Sequence, residues 1–227
     1  MTDAVDAVLF DLDDTLCEYQ RTSGELLRES FAAVGVEPFF DVAEYYDAYE
    51  RVVNDDDEHD GMRELRELCF ADLADEYGYS RDLAYEMADH FADSRDHTNV
   101  AALPGAAAAV EALADDHALG VVTNGAPEMQ RQKLSALDFD HHFETVVCAG
   151  YDAPAKPEPD PYHAALGELD VAADRAVHVG NSLKTDVPGA HNAGVRSTWL
   201  SDGSTPDPEP HYVVDRLDEL ATPPWRP

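Results

Sequence analysis

The chain has 227 residues, with 48 Asp and Glu against 15 Lys and Arg, and a net charge of -33. That length fits one or two domains, and the acid excess excludes nucleic acid and anionic membrane surfaces as partners. Lysine occurs only at 133, 156 and 184, and a carboxylate-dense, lysine-poor surface marks a halophilic protein, because molar salt screens its self-repulsion to within about 3 Å.

Residues 4–11 read as a short buried strand that runs straight into the acids of "DLDDT". From 17 to about 99 the apolar residues recur at helical spacing: Leu26, Leu27, Phe31 and Val34, then Leu65, Leu68 and Leu73, then Leu83, Met87 and Phe91. Strand-like runs are absent there. "NDDDEHDG" at 54–61 reads as a solvated loop leading into a helix, since its acids lack the spacing of an EF-hand.

From Pro104 onward strands and helices alternate. Helices are expected over 103–117, 127–137, 160–169 and 186–194, the second with Pro127 near its first position. Strands are expected at 119–125, 145–150, 176–182 and 195–200, with a last short strand and helix within 211–220. Such alternation implies right-handed crossovers and a parallel sheet covered on both faces. The expected fold is α/β, a Rossmann-like parallel sheet core with helices on both faces. The core comprises 1–15 and 100–227, and an α-helical segment at 16–99 is inserted after the first strand.

Cys17, Cys69 and Cys148 lie far apart without a C-x-x-C, as unpaired thiols in a reducing compartment do. The first residues lack a basic region followed by an apolar run, and no stretch approaches about 18 apolar residues. A cytoplasmic protein is expected. The histidines show no zinc spacing.

In an open parallel sheet, ligands bind beyond the carboxyl ends of the strands. The polar residues expected there are Asp11 and Asp13, Thr123 and Asn124, Lys156, and the run Gly180, Asn181, Ser182 and Asp186. Two carboxylates two residues apart do not both stay ionised cheaply unless a cation compensates them. Either a divalent metal sits between them and an acid such as Asp186, or one of them is protonated and serves as a general acid. Phosphoryl transfer uses both arrangements, a carboxylate nucleophile and a second carboxyl that handles the proton. Attack on an anionic phosphoryl group also needs positive charge from a metal and a lysine. Lys156, between Pro154 and Pro157 in a chain that has nearly abandoned lysine, is the candidate. Thr123 and Asn124 would donate to phosphate oxygens. Asp14 is expected at the surface or as a cap of the following turn, and Thr15 is placed to brace an Asp carboxylate.

Together these residues resemble the haloacid dehalogenase-like hydrolase superfamily. "DLDDT" is similar to its first motif, "VVTNG" to its second, "KPEP" to its third and "VGNSLKTD" to its fourth, in family order along the chain. The resemblance implies that 16–99 is a helical cap domain, that Asp11 is the nucleophile, and that Asp13 is the general acid and base. It implies that Thr123, Asn124 and Lys156 bind the transferring phosphoryl group. Mg2+ would be held by Asp11, the Asp13 main-chain carbonyl, Asp186 and the Asn181 position. The sequence has Gly180-Asn181 where the family usually has Gly-Asp, so that ligand is a neutral amide and a weaker hold on Mg2+ is expected unless Asp186 takes over.

The implied activity is hydrolysis of a small phosphorylated metabolite through an aspartyl-phosphate. Two other activities share the scaffold. A 2-haloacid dehalogenase carries Asn in the fourth motif and needs no metal, but it lacks the acid two residues after the nucleophile. A phosphomutase uses the same nucleophile and cap. A non-enzymatic scaffold is disfavoured by the complete polar set. Arg21, at the start of the cap, is expected either at the surface or against a second anionic group of the substrate.

Overall fold

A computed structural model describes residues 4–54 and 61–226. Residues 55–60, which hold most of the acidic loop expected from sequence, lie outside the described residues. The chain divides into two compact units, Met1–Tyr19 with His97–Pro227, and Gln20–Asp96.

The first unit holds a six-stranded sheet in the order β5-β4-β1-β6-β7-β8. Its strands are β1 (Ala7–Phe10), β4 (Ala118–Asn124), β5 (Thr145–Ala149), β6 (Ala176–Gly180), β7 (Arg196–Leu200) and β8 (Tyr212–Val214). Every neighbouring pair is parallel. All four residues of β1 are buried, as a central parallel strand requires. Successive side chains point to opposite faces, so Val8 and Phe10 join one core cluster while Ala7 and Leu9 join another. The first cluster includes Val110 and Leu113 of α5 (Ala106–Ala114), Leu134 of α6 (Pro127–Ser135), and Leu217 and Leu220. The second includes Tyr162 and Ala165 of α7 (Asp160–Leu169) and Ala190 of α8 (Asp186–Asn192). The helices therefore cover both faces, and the expected α/β architecture is present.

Two local features differ from the expectation. Cys17–Tyr19 (β2) and Val100–Ala102 (β3) pair as a two-stranded antiparallel ribbon, the first in the segment read as free of strands and the second just beyond it, where no strand was expected. That ribbon places 16–19 and 97–99 with the sheet unit. The element expected after β8 is a short 3-10 turn, Leu217–Ala221, rather than an α-helix.

The second unit packs four helices: α1 (Ser23–Ala33), α2 (Val42–Asn54), α3 (Gly61–Tyr77) and α4 (Arg81–Ser94). Thr22 and Glu25 close a capping box at the start of α1, satisfying two otherwise orphaned N–H groups. The helical periodicity becomes a core of Leu26, Phe31, Leu65, Phe70, Leu73, Met87 and Phe91. Phe40 packs edge-on against Phe31 and Phe70, with ring centroids 5.0 and 5.5 Å apart. All three cysteines are buried free thiols. Among the described residues no helix is long and apolar enough to cross a membrane.

Candidate active site

The chain order reverses at β1, with β4 on one side and β6 on the other. Such a switch point opens a crevice at the strands' carboxyl ends. Asp11 follows β1 directly, and its N–H donates to Val179 O of β6 at 2.9 Å. Thr123 and Asn124 end β4, and Gly180 ends β6 with Asn181 next. Asp11 and Thr123 are buried, while Asp13 and Asn181 are half-buried.

Lys156 lies in the loop between β5 and α7 and is 4% exposed. Its Nζ donates to Asp11 Oδ1 at 2.7 Å, to Asp186 Oδ1 at 2.7 Å and to Val122 O at 2.8 Å. An ammonium has three protons, so all three are used. Asn124 fixes this loop: its Nδ2 donates to Lys156 O at 3.2 Å and its Oδ1 accepts Lys156 N–H at 2.8 Å. The Asn124 side chain, read from sequence as a phosphate donor, is thus turned onto the lysine loop.

Asp186 is committed on both oxygens. Oδ1 accepts from Lys156 and lies 3.1 Å from His178 Nε2, and Oδ2 accepts Ser182 N–H at 2.9 Å. Gly180 permits this approach, since a Cβ there would stand 2.4 Å from Asp186 Cγ. Burial works against the Asp186 charge, but the Lys156 cation and the His178 contact overcome it and hold the carboxyl well below the usual range. Asp11 goes the other way. Burial outweighs the attraction of Lys156, the nearby Asp186 adds repulsion, and the Asp11 carboxyl is pushed up to about 7. Burial penalises the Lys156 charge too, but the two carboxylates hold its pKa above the ordinary lysine value.

Asp13 is separated from this cluster. Lys133 of α6, 3% exposed, donates to its Oδ1 and Oδ2 at 2.7 Å each. Gln130, one turn earlier, donates to Oδ2 at 3.0 Å and to Asn124 O at 2.8 Å. Each acid of "DLD" therefore has its own buried lysine. Lys133 and Gln130 carry no sequence motif; the available signal was a lysine retained in a lysine-poor chain.

Thr15 braces the loop as expected. Its Oγ1 stands 3.4 Å from Asp11 Oδ2 and 3.3 Å from Asn181 Oδ1. Both oxygens therefore lie within 3.4 Å of the Thr15 hydroxyl, and a carboxylate and an amide oxygen are donors of the hard kind that Mg2+ takes. Among the described residues no group of three or more His, Cys, Asp and Glu side chains is arranged to hold a metal ion. A cation here would rest on one carboxylate and neutral oxygens. Asp14 is exposed, with a positive φ of 57°. Lys184 N–H donates to Ser182 Oγ at 3.2 Å, and Arg21 pairs with Glu29 on α1.

Sheet order, helical insertion and an Asp–Lys–Asp cluster at the switch point together define an α/β enzyme with an acid-based centre. The model of the haloacid dehalogenase-like hydrolase family matches residues 5–194. A phosphoserine phosphatase of Thermus thermophilus is 32% identical, the match covering 94% of this chain and 96% of that one. Two solved structures are similar over nearly the whole chain. The magnesium-bound hydrolase YfnB of Bacillus subtilis has a TM-score of 0.76 at 24% identity, covering 96% of this chain and 98% of that one. A 2-haloacid dehalogenase from Pseudomonas syringae has a TM-score of 0.69 at 28% identity, covering 98% of this chain and all of the other. The chain belongs to the haloacid dehalogenase-like hydrolase family.

Proposed function

We propose that the chain is a phosphatase that hydrolyses a small phosphorylated metabolite through an aspartyl-phosphate on Asp11. The observation that carries this reading is the second carboxyl, Asp13, held by Lys133 two residues from Asp11. An acid at that place serves a leaving oxygen, which dehalogenation does not have. The similarity to a phosphoserine phosphatase supports the same reading and a small phosphomonoester as substrate.

Asp11 attacks phosphorus and the bond to the leaving oxygen breaks, with Asp13 giving that oxygen its proton. Water then attacks the aspartyl-phosphate and Asp13 takes a proton from it. Inorganic phosphate leaves, and both side chains return to their starting state. Lys156 offsets negative charge gathering on the phosphoryl oxygens, and Thr123, at the carboxyl end of β4, donates to them. Asp186 acts through Lys156, holding its ammonium 2.7 Å from Asp11. Mg2+, held by Asp11, Asn181 and the Asp13 carbonyl, would supply further positive charge.

The test is a panel of phosphomonoesters and a 2-haloacid, with and without Mg2+, in high salt. Phosphate release that a chelator stops and Mg2+ restores is expected. Metal-independent halide release would replace the reading with dehalogenation. Transfer to a second hydroxyl without free phosphate would replace it with a mutase.

A further inference from the structure

Lys133 takes no part in the chemistry above, yet its burial is costly. A lysine ammonium taken out of water loses several kcal/mol of hydration, which it recovers only through well-placed partners. Here Nζ has both oxygens of Asp13 at 2.7 Å and the face of Tyr19, whose ring centroid is 4.7 Å away. The Tyr19 hydroxyl is tied to His97 Nδ1 at 2.6 Å, so the ring is held in place. Gln130 and Lys133 share a face of α6 at i, i+3, and the same helix sets Leu134 into the core. The cradle is built on a rigid element, whereas Asp13 lies on the loop beyond β1.

The lone pairs of Asp13 can be counted. A carboxylate has about four acceptor positions, two on each oxygen. Oδ2 accepts from both Lys133 and Gln130, at 2.7 and 3.0 Å. Among the described residues Oδ1 accepts from Lys133 alone. One acceptor position remains, and it is on Oδ1.

From this geometry we infer that Lys133, with Gln130, is a positioning residue that fixes the Asp13 carboxyl so that Oδ1 is the atom that gives and receives the catalytic proton. The inference rests on the reading of Asp13 as general acid and base. The Asp13 side chain is 37% exposed against 4% for Lys133, and a half-exposed carboxyl without its cradle would sample several rotamers. Loss of fixed orientation is costly where a proton must pass to one particular oxygen.

The test compares wild type, Lys133→Met and Asp13→Asn on phenyl phosphate, a poor leaving group, and 4-nitrophenyl phosphate, a good one. Lys133→Met should lower kcat/KM, which reports formation of the aspartyl-phosphate and not its common hydrolysis, about 30-fold on phenyl phosphate and less than about 3-fold on 4-nitrophenyl phosphate. Adding Lys133→Met to Asp13→Asn should change neither rate further, because the positioned group is already gone. If Lys133→Met folds poorly by circular dichroism, Gln130→Ala removes one donor and keeps the ion pair, and should show the same discrimination at smaller size. Equal loss on both substrates, or full additivity in the double variant, would overturn the positioning role. If Asp13→Asn itself fails to discriminate leaving groups, the acid assignment falls instead, so the two failures are distinguishable.

Discussion

Asp11→Asn should stabilise the metal-free protein while abolishing turnover. Asp11 is 7% exposed, and its carboxyl is raised from 3.8 to about 7, chiefly by burial. A group that holds its proton more tightly when folded contributes stability below the unfolded value, and that contribution is lost as pH rises through the folded one. The interval from 3.8 to about 7 corresponds to roughly 4 kcal/mol at ~1.36 kcal/mol per pH unit. That figure is a ceiling, because Asn also gives up the attraction of Lys156. The ammonium is not left alone, since Asp186 Oδ1 stays 2.7 Å from it. A net gain of about 2 kcal/mol at pH 8 is expected, which for a chain of this size raises Tm by roughly 4–8 °C.

The assay is thermal melting by circular dichroism, with chelator present and KCl held constant, at pH 8 and pH 5. At pH 5 the wild-type carboxyl is already protonated in the folded state, and the advantage of Asn should fall to under about half. A variant that melts at or below wild type at pH 8 would refute the reasoning. So would a gain that does not change with pH. That outcome would place the proposed nucleophile where function costs stability.

Asn181→Asp should tighten Mg2+ about tenfold, read as the Mg2+ concentration giving half-maximal rate, by adding charge to a donor set with a single carboxylate; no change would remove Asn181 from that set. Lys156→Met should destabilise by about 3–5 kcal/mol, measured by urea unfolding at pH 8, because two buried carboxylates lose their shared cation. Gly180→Ala should displace Asp186, since the added methyl would stand 2.4 Å from its Cγ, and lower kcat at least tenfold while the helical unit's contribution to the far-ultraviolet spectrum persists. Raising KCl from about 0.1 to about 2 M should raise Tm, because screening relieves repulsion within a chain of net charge -33; a flat or falling Tm would refute the halophilic reading.

The site was legible where chemistry sits at a strand end. Asp11 follows four buried apolar residues, Thr123 lies at the end of a strand that the β–α alternation marks, and Asn181 and Lys156 come after such strands. What the sequence did not give away depends on tertiary pairing. Lys133 meets Asp13 across 120 positions of chain, and neither residue's neighbours announce it. The β2–β3 ribbon has three residues per strand, too few for a period of two to appear. The resemblance of the fourth motif implied a metal-holding role for Asp186, but only the coordinates show both its oxygens spent on Lys156, His178 and Ser182.

The lysine count now has a physical meaning. Lys133 and Lys156 have side chains 4% and 2% exposed, and both serve the aspartates after β1. Arginines make the exposed pairs, such as Arg51 with Asp72 and Glu76, Arg81 with Asp75, and Arg216 with Asp218. Pairs of that kind contribute about 0–1 kcal/mol each and weaken in salt. A compact ammonium suits the site because its three protons can be shared among acceptors in a small space, as Lys156 shares them among Asp11, Asp186 and Val122. A planar guanidinium would demand a wider cleft. Buried pairs are also screened far less than surface ones. The two charge systems are therefore separable: salt acts on the acidic exterior, and the aspartate–lysine pairs inside keep their strength while it does.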